Sequence, residues 1–254
     1  MGVDVSAIPC RPTISCNADI VAPGALEIEV GYIARRLPSV EGSPQAAGST
    51  LGLGQGTFPV LFKLSLAKWI QLQVGSNGYT FLRGPVAAHY LDNVNVGFKL
   101  HLVDQGSVAP SVALSAAFGV PTFAGQTGYV REDNVFATAH VSKDLGPLHE
   151  DLNVGVIDWG IDGSARAQPF VALATSTALP SPFGVACEVY YFGDATPQAT
   201  RDGGVLLAVT HTPRPWLVFD VGVDAGFFPS TRPWSAFVGM TVVPAVLWGV
   251  PSKT

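Results

Sequence analysis

Ten consecutive residues, Asn93-Val94-Asn95-Val96-Gly97-Phe98-Lys99-Leu100-His101-Leu102, alternate without a break. Every second side chain is apolar, and those between are polar, charged or glycine. A β-strand sends successive side chains to opposite faces, so this stretch is a ribbon with one oily and one polar side. The pattern returns about a dozen times along the chain, bounded each time by Gly, Pro, Asn or Asp. One half-buried strand fits many folds. A dozen in a chain this poor in charge fits few.

Charged residues make up 13% of the 254 residues and apolar ones 48%, with 28 glycines besides. A soluble domain carries roughly 25% charge, and mean hydropathy here is +0.33. No run approaches the roughly 20 apolar residues that a membrane helix needs. Two-faced strands rolled into a closed transmembrane barrel reconcile the two facts, because every second residue meets lipid while all backbone groups pair with neighbours. The net charge of −5 shows no basic cluster and argues against a nucleic-acid partner.

Taken in order, residues 1–22 read as an irregular N-terminal leader and 23–250 as a single barrel domain, with 251–254 as a C-terminal tail. Strands are expected over residues 25–36, 58–67, 70–77, 93–102, 111–120, 135–142, 149–157, 167–177, 184–192, 204–211, 217–226 and 235–243. The total of about twelve is even, as in bacterial single-chain barrels. Residues 204–211 are too apolar for their faces to be assigned. The connections mostly alternate in length: 37–56 long, Lys68-Trp69 short, 78–92 long, 104–108 short, 121–134 long. The one around Asp162-Gly163-Ser164 breaks the rhythm. Short periplasmic turns and longer extracellular loops are the habit of outer-membrane barrels. Aromatics fall near strand ends, and Tyr32, Trp69, Tyr79, Trp159, Trp216, Trp234 and Trp248 are expected in interfacial girdles.

Several stretches resemble a family of bacterial outer-membrane proteins assigned to transport in the MetA pathway of phenol degradation. They include Leu26-Glu27-Ile28-Glu29-Val30-Gly31-Tyr32, Gln73-Val74-Gly75-Ser76-Asn77-Gly78-Tyr79 and Asn95-Val96-Gly97-Phe98-Lys99. Asp151-Leu152-Asn153-Val154-Gly155 and Asp220-Val221-Gly222-Val223-Asp224-Ala225-Gly226 belong with them. The likeness runs through most of residues 24–248 in short motifs. It implies an outer-membrane barrel admitting hydrophobic or aromatic small molecules. Met1-Gly2-Val3-Asp4 lacks the basic start and apolar run of a signal peptide; a barrel reading expects an export signal to have been removed ahead of it. The chain stops at Pro251-Ser252-Lys253-Thr254, where barrels commonly end on an aromatic strand residue.

If the apolar face looks at lipid, the other lines a lumen. Its expected residues are Glu27, Glu29, Lys63, Gln71, Gln73, Asn95, Lys99, His101, His140, Asp151, Asn153, Glu188, Asp220 and Asp224, with Asn77 on the same face. Acidic groups outnumber lysines there, which favours cations or neutral solutes. The same charges could instead pair and fill the interior. Cys10 and Cys16 either pair across a short loop or stay as two free thiols, and Cys187 alternates with the apolar face of its strand. No Gly-x-Ser-x-Gly elbow or His-Glu-x-x-His is present, so no catalytic residue, metal ligand or cofactor is assigned. The expectation is a monomeric passive channel for small-molecule solutes, embedded in outer-membrane lipids. The alternative is a plugged barrel working through its long loops, and a barrel-borne hydrolase is weaker still.

Overall fold

A computed structural model of the chain describes residues 5–36, 54–83, 88–120, 122, 133–160, 167–194, 201–228 and 234–249. Its strands are β1 (Ala25–Arg36), β2 (Gly54–Ala67), β3 (Ile70–Arg83), β4 (Ala88–Leu91), β5 (Val94–Val103), β6 (Ser111–Val120) and β7 (Asp133–Leu145). They continue as β8 (Leu148–Gly160), β9 (Ala167–Ala178), β10 (Phe183–Phe192), β11 (Asp202–Arg214), β12 (Leu217–Gly226) and β13 (Trp234–Val246). Consecutive strands pair antiparallel, save that β4 and β5 both pair with β3, and β1 pairs with both β2 and β13, from Ala25↔Val246 to Arg36↔Trp234. The sheet closes on itself as a transmembrane up-and-down barrel.

Thirteen strands make twelve staves. β4 lies along the upper part of β3 (Tyr79↔Leu91, Leu82↔Ala88), and β5 takes up the lower part (Ser76↔Val94, Ile70↔Leu100). The break between them, at Asp92-Asn93, faces a bulge in β3 where the register against β2 slips between Phe58 and Val60. Gly78 makes that bulge with φ +71°, and a Cβ there would sit 1.8 Å from the Phe58 carbonyl oxygen. Only glycine fits such a position. The extra residue turns Asn77 out to an exposed position, not the inner face that uninterrupted alternation predicts. It also shortens the connection expected over 78–92, whose ends are strand. Pro59 stands opposite the bulge, where its missing N–H costs the ladder least.

Alternation holds around the ring. Outside stand residues such as Phe62, Leu72, Phe98, Leu114, Val154, Leu173, Val189, Leu207, Val221 and Val238, all more than a third exposed. Inside are buried Glu27, Glu29, Lys63, Gln71, Lys99, His140, Asn153, Glu188, Asp220 and Asp224. This inverts a soluble protein, and an apolar belt of that size is a surface for acyl chains. Cys187 is exposed on the belt with the valines. β11 resolves only here: Leu206 and Ala208 point in against Phe237, while Leu207 and Val209 point out. Among the girdle residues Trp69, Tyr79, Trp234 and Trp248 are exposed. Tyr32 packs on Phe58 at 5.0 Å between ring centroids. Trp216 instead packs at the lumen mouth against the chain's N-terminal stretch. The side chain of Trp159, the loops 37–53 and 123–132 and the tail 251–254 lie outside the described residues.

An arginine at Val154, mid-strand on the outer face, should cost about 2–4 kcal/mol of stability. Unfolding of the variant from lipid vesicles by urea checks this, with Val154→Leu, which keeps the position apolar, as the control for general tolerance of the strand.

Candidate functional site

The interior is not empty. Residues 5–22 form no helix or strand, yet they run from the turn end up into the barrel, cross it, and return to start β1. A small apolar foot holds both ends of the segment: Val5 and Val21 pack with Ala25 and Val243, flanked by Ala7, Ile8 and Trp216. The N–H of Ala7 also donates to the Pro215 carbonyl at 2.8 Å.

Above the foot the contacts are polar, and the wall grips mainly the backbone of the segment. Glu27 accepts from the Ile8 N–H at 2.6 Å, and Glu29 accepts from those of Cys10 and Arg11 at 2.9 and 3.1 Å. Glu188, on the far side, takes the Ile14 and Ser15 amides at 2.7 and 2.6 Å and the Ser15 hydroxyl at 2.5 Å. Asn153 clamps Cys16 at two points, its Oδ1 accepting from the N–H and its Nδ2 donating to the carbonyl, both at 2.9 Å. The Ala18 N–H reaches Ser142 Oγ at 2.7 Å. The lysines serve the carbonyls: Lys63 donates to Ile8 at 2.7 Å, and Lys99 to Asn17 and, at 3.3 Å, to Asp19. A hydrogen bond to an ionised partner contributes about 1.5–3 kcal/mol, so this lattice is a strong anchor made of many separable links.

Side chains of the segment reach the wall too: Ser15 bonds to Glu188, Asn17 to His149 and Asp19 to Ser111, and Arg11 has a two-point receptor. Its guanidinium meets Asp220 through Nε at 3.2 Å and Nη2 at 3.0 Å. It lies flat over Gly31 and Gly239, where an added Cβ would come within 2.6 and 2.2 Å of it. Those lumen glycines make a slot that is filled, and Phe237 lies 5.9 Å from the cation. Cys10 and Cys16 are joined by a disulfide. It ties the stretch held by Glu29 to the stretch held by Asn153 and makes the crossing portion one closed loop.

Among the expected lumen residues, Lys63 bridges Glu27 and Glu29, the latter at 2.5 Å, with all three nearly inaccessible. His140 links Ser115 (Nε2, 2.8 Å) to the Cys16 carbonyl (Nδ1, 3.3 Å). His101 joins Ala18 to Asp104, and Asp151 holds Ser142 and His149. Asp224 accepts from Tyr190 at 2.7 Å and Ser235 at 3.0 Å. Gln71 and Gln73 bond to each other at 3.0 Å, and Asn95 lines a neighbouring cavity. Alternation found the wall side of these contacts but not their partners on residues 5–22. Ser142 and Tyr190 follow the same alternation to the inner face, whereas Arg11 and the inward Phe136 and Phe192 went unflagged.

Space remains on both sides of the segment. Toward the turns a cavity of about 530 Å3 lies between Arg11, Thr13 and Asn17 and the wall at His149, Ser176 and Thr210. Toward the loops are two more, of about 280 Å3 beside Cys10, Gln73 and Asn95 and about 240 Å3 above Ile14 and Cys16. Among the described residues no cluster of His, Cys, Asp and Glu could hold a metal ion.

The same architecture occurs in solved structures. A KdgM porin in complex with disordered oligogalacturonate superposes with a TM-score of 0.56 at 9% identity, over 85% of this chain and 98% of that one. An outer membrane channel from Pseudomonas putida F1 does so with 0.59 at 13% identity, over 89% and 97%. This is the fold of an outer-membrane β-barrel. At such identities the likeness is one of fold. The sequence matches no family model and no curated protein sequence.

Replacing Lys63 by methionine leaves Glu27 and Glu29 buried without their cation and should destabilise the barrel by about 3–5 kcal/mol. Denaturant titration in lipid reads this. Glu188→Gln should leave the barrel intact but speed hydrogen exchange at the Ile14 and Ser15 amides on the order of tenfold or more, since one charge-assisted acceptor is lost.

Proposed function

We propose that the chain is an outer-membrane channel for small molecules, closed by its own residues 5–22. The observation that carries this reading is the way the plug is held. A permanent core is close-packed apolar matter. Here only the foot is apolar, the crossing portion hangs on hydrogen bonds to its backbone, and cavities remain on either side of it. Water can replace each of those bonds in turn, so the segment is removable without unfolding the wall. The likeness in fold to outer-membrane channels supports the reading, as does the polar interior.

On this reading Glu27, Glu29, Lys63, Gln71, Gln73, Asn95, Lys99, His101, His140, Asp151, Asn153, Glu188, Asp220 and Asp224 line the solute pathway once the plug moves. Their acidic excess makes the open state favour cations and neutral solutes. We read the chain as a monomer in the bacterial outer membrane; β1 and β13 close the ring within one chain, so the wall needs no second copy to be complete. The resemblance to the MetA-pathway proteins makes hydrophobic or aromatic molecules the solute class. The plug itself favours the second reading, a filled barrel that acts through its surface loops. The two differ in what happens when the plug is loosened.

Planar-bilayer recording separates them. The wild type should conduct in rare, brief openings. Arg11→Ala with Glu188→Gln should raise open probability on the order of tenfold or more, and deletion of residues 5–19 should give a steady conductance. A folded barrel lacking residues 5–19 that passes no current and admits no solute into liposomes overturns the channel in favour of the filled barrel.

A further inference from the structure

Inward positions of the wall carry mostly carboxylates, lysines, amides and hydroxyls; apolar side chains gather where Leu206 and Ala208 meet Phe237 and in a second group on the loop side of the plug. There Phe136, Ile157, Phe170 and Phe192 come from four consecutive strands, β7 to β10, at one level of the barrel. Phe136 pairs with Ile157, Gly155 with Phe170, and Phe170 with Phe192. The Phe170 and Phe192 rings stack with centroids 5.3 Å apart. Phe170 takes its place because residue 155 is glycine: a Cβ there would stand 2.4 Å from its ring. Apolar surface facing a polar lumen costs about 25 cal/mol per Å2 left in water, and the adjoining cavity of about 240 Å3 is lined by these side chains and by Ile14 and Cys16 of the plug.

We propose that this cavity is a binding site for a neutral single-ring aromatic molecule, walled by Phe136, Ile157, Phe170 and Phe192 and floored by the plug. The proposal deepens the channel reading by naming a solute and its seat, and it rests on that reading for the site's use. Size sets the ring count: an apolar cavity of roughly 150 Å3 holds benzene, so this one holds one substituted ring. The opposite wall offers Gln73, Ser115 and Thr138, which suits one hydrogen-bonding substituent. Charge is disfavoured because the phenylalanine and isoleucine side chains that wall the cavity would strip an ion of its water, and Lys99 is held by the carbonyls of Asn17 and Asp19. Because Ile14 and Cys16 form the floor, the site exists only while the plug is seated, and an occupant holds the plug in place.

Titration of the full chain in lipid nanodiscs with 3-fluorobenzyl alcohol, followed by 19F NMR, tests the site, with 3-fluorobenzoate as the charged analogue. The alcohol should show a saturable bound signal, weakened at least tenfold by Phe170→Ala with Phe192→Ala and abolished by Ile157→Trp, which fills the cavity. At a hundred times its dissociation constant it should slow exchange of the Ile14 and Ser15 amides up to about a hundredfold. Uptake that never saturates, or saturable binding that the phenylalanine variants leave unchanged, overturns the site. Equal affinity for the benzoate overturns its neutral character, and unchanged amide exchange overturns the plug as its floor. Conductance from the chain lacking residues 5–19 with no saturable binding to the full chain removes the site and leaves the channel. Saturable binding without that conductance does the reverse.

Discussion

Every main-chain N–H and C=O at membrane depth must find a partner inside the protein, because hydrocarbon supplies none. The antiparallel ladders running from β1 round to β13 and back to β1 meet that demand by closing the ring. Once the ring is closed, the pleat alone divides the side chains, and each face answers to a different solvent. Valines, leucines and phenylalanines on the outside lie in acyl chains, and the glutamates and lysines of the inside avoid them. The bulge at Gly78 is a local adjustment within the same rule. It lets β3 pair with β4 above and β5 below, so thirteen segments still form one closed ring.

The inside face then creates a second demand. Glu27, Glu29, Glu188 and Asp220 are almost wholly shielded from solvent, and a shielded carboxylate needs a cation or several donors. Lys63 and Arg11 supply cations. The remaining donors come from the main chain of residues 8–18, which has unpaired amides because it forms no regular structure. Wall and plug solve each other's problem: the carboxylates lack donors and the irregular segment lacks acceptors. That mutual need explains why an apparently structureless stretch has a defined path through the barrel. It also explains why most of the contacts are to backbone atoms, which any sequence would present, with the side chains of Arg11, Ser15, Asn17 and Asp19 adding to them.

Bonding of this kind bears on the channel reading. Links to ionised groups are individually strong in a dry interior and individually replaceable by water once a lumen opens. A plug fixed by them is stable when seated and solvated when withdrawn, whereas an apolar one would resist withdrawal through the cost of exposing its surface. The disulfide between Cys10 and Cys16 keeps the crossing loop compact through either state. The small apolar foot at Val5, Val21 and Val243 leaves the ends of the segment at the base of the barrel.

The sequence by itself determined the barrel, its two faces and the residues of its inner wall, because side-chain direction in a strand is a local property with a period of two. Val94 to Leu102 declare their faces with no help from the rest of the chain. Where locality failed, so did the reading. The bulge that turns Asn77 outward depends on a glycine's backbone and on β2 across from it, and β11 carries apolar residues on both faces, so only its neighbours tell Leu206 from Leu207. The plug was invisible for the same reason. Nothing periodic marks residues 5–22, and their structure is set by acceptors that lie more than a hundred positions away, such as Asn153 and Glu188. Tertiary structure alone decided that the lumen is closed, what closes it, and where an aromatic pocket is left beside it, since each of those depends on groups that meet only when the ring is complete.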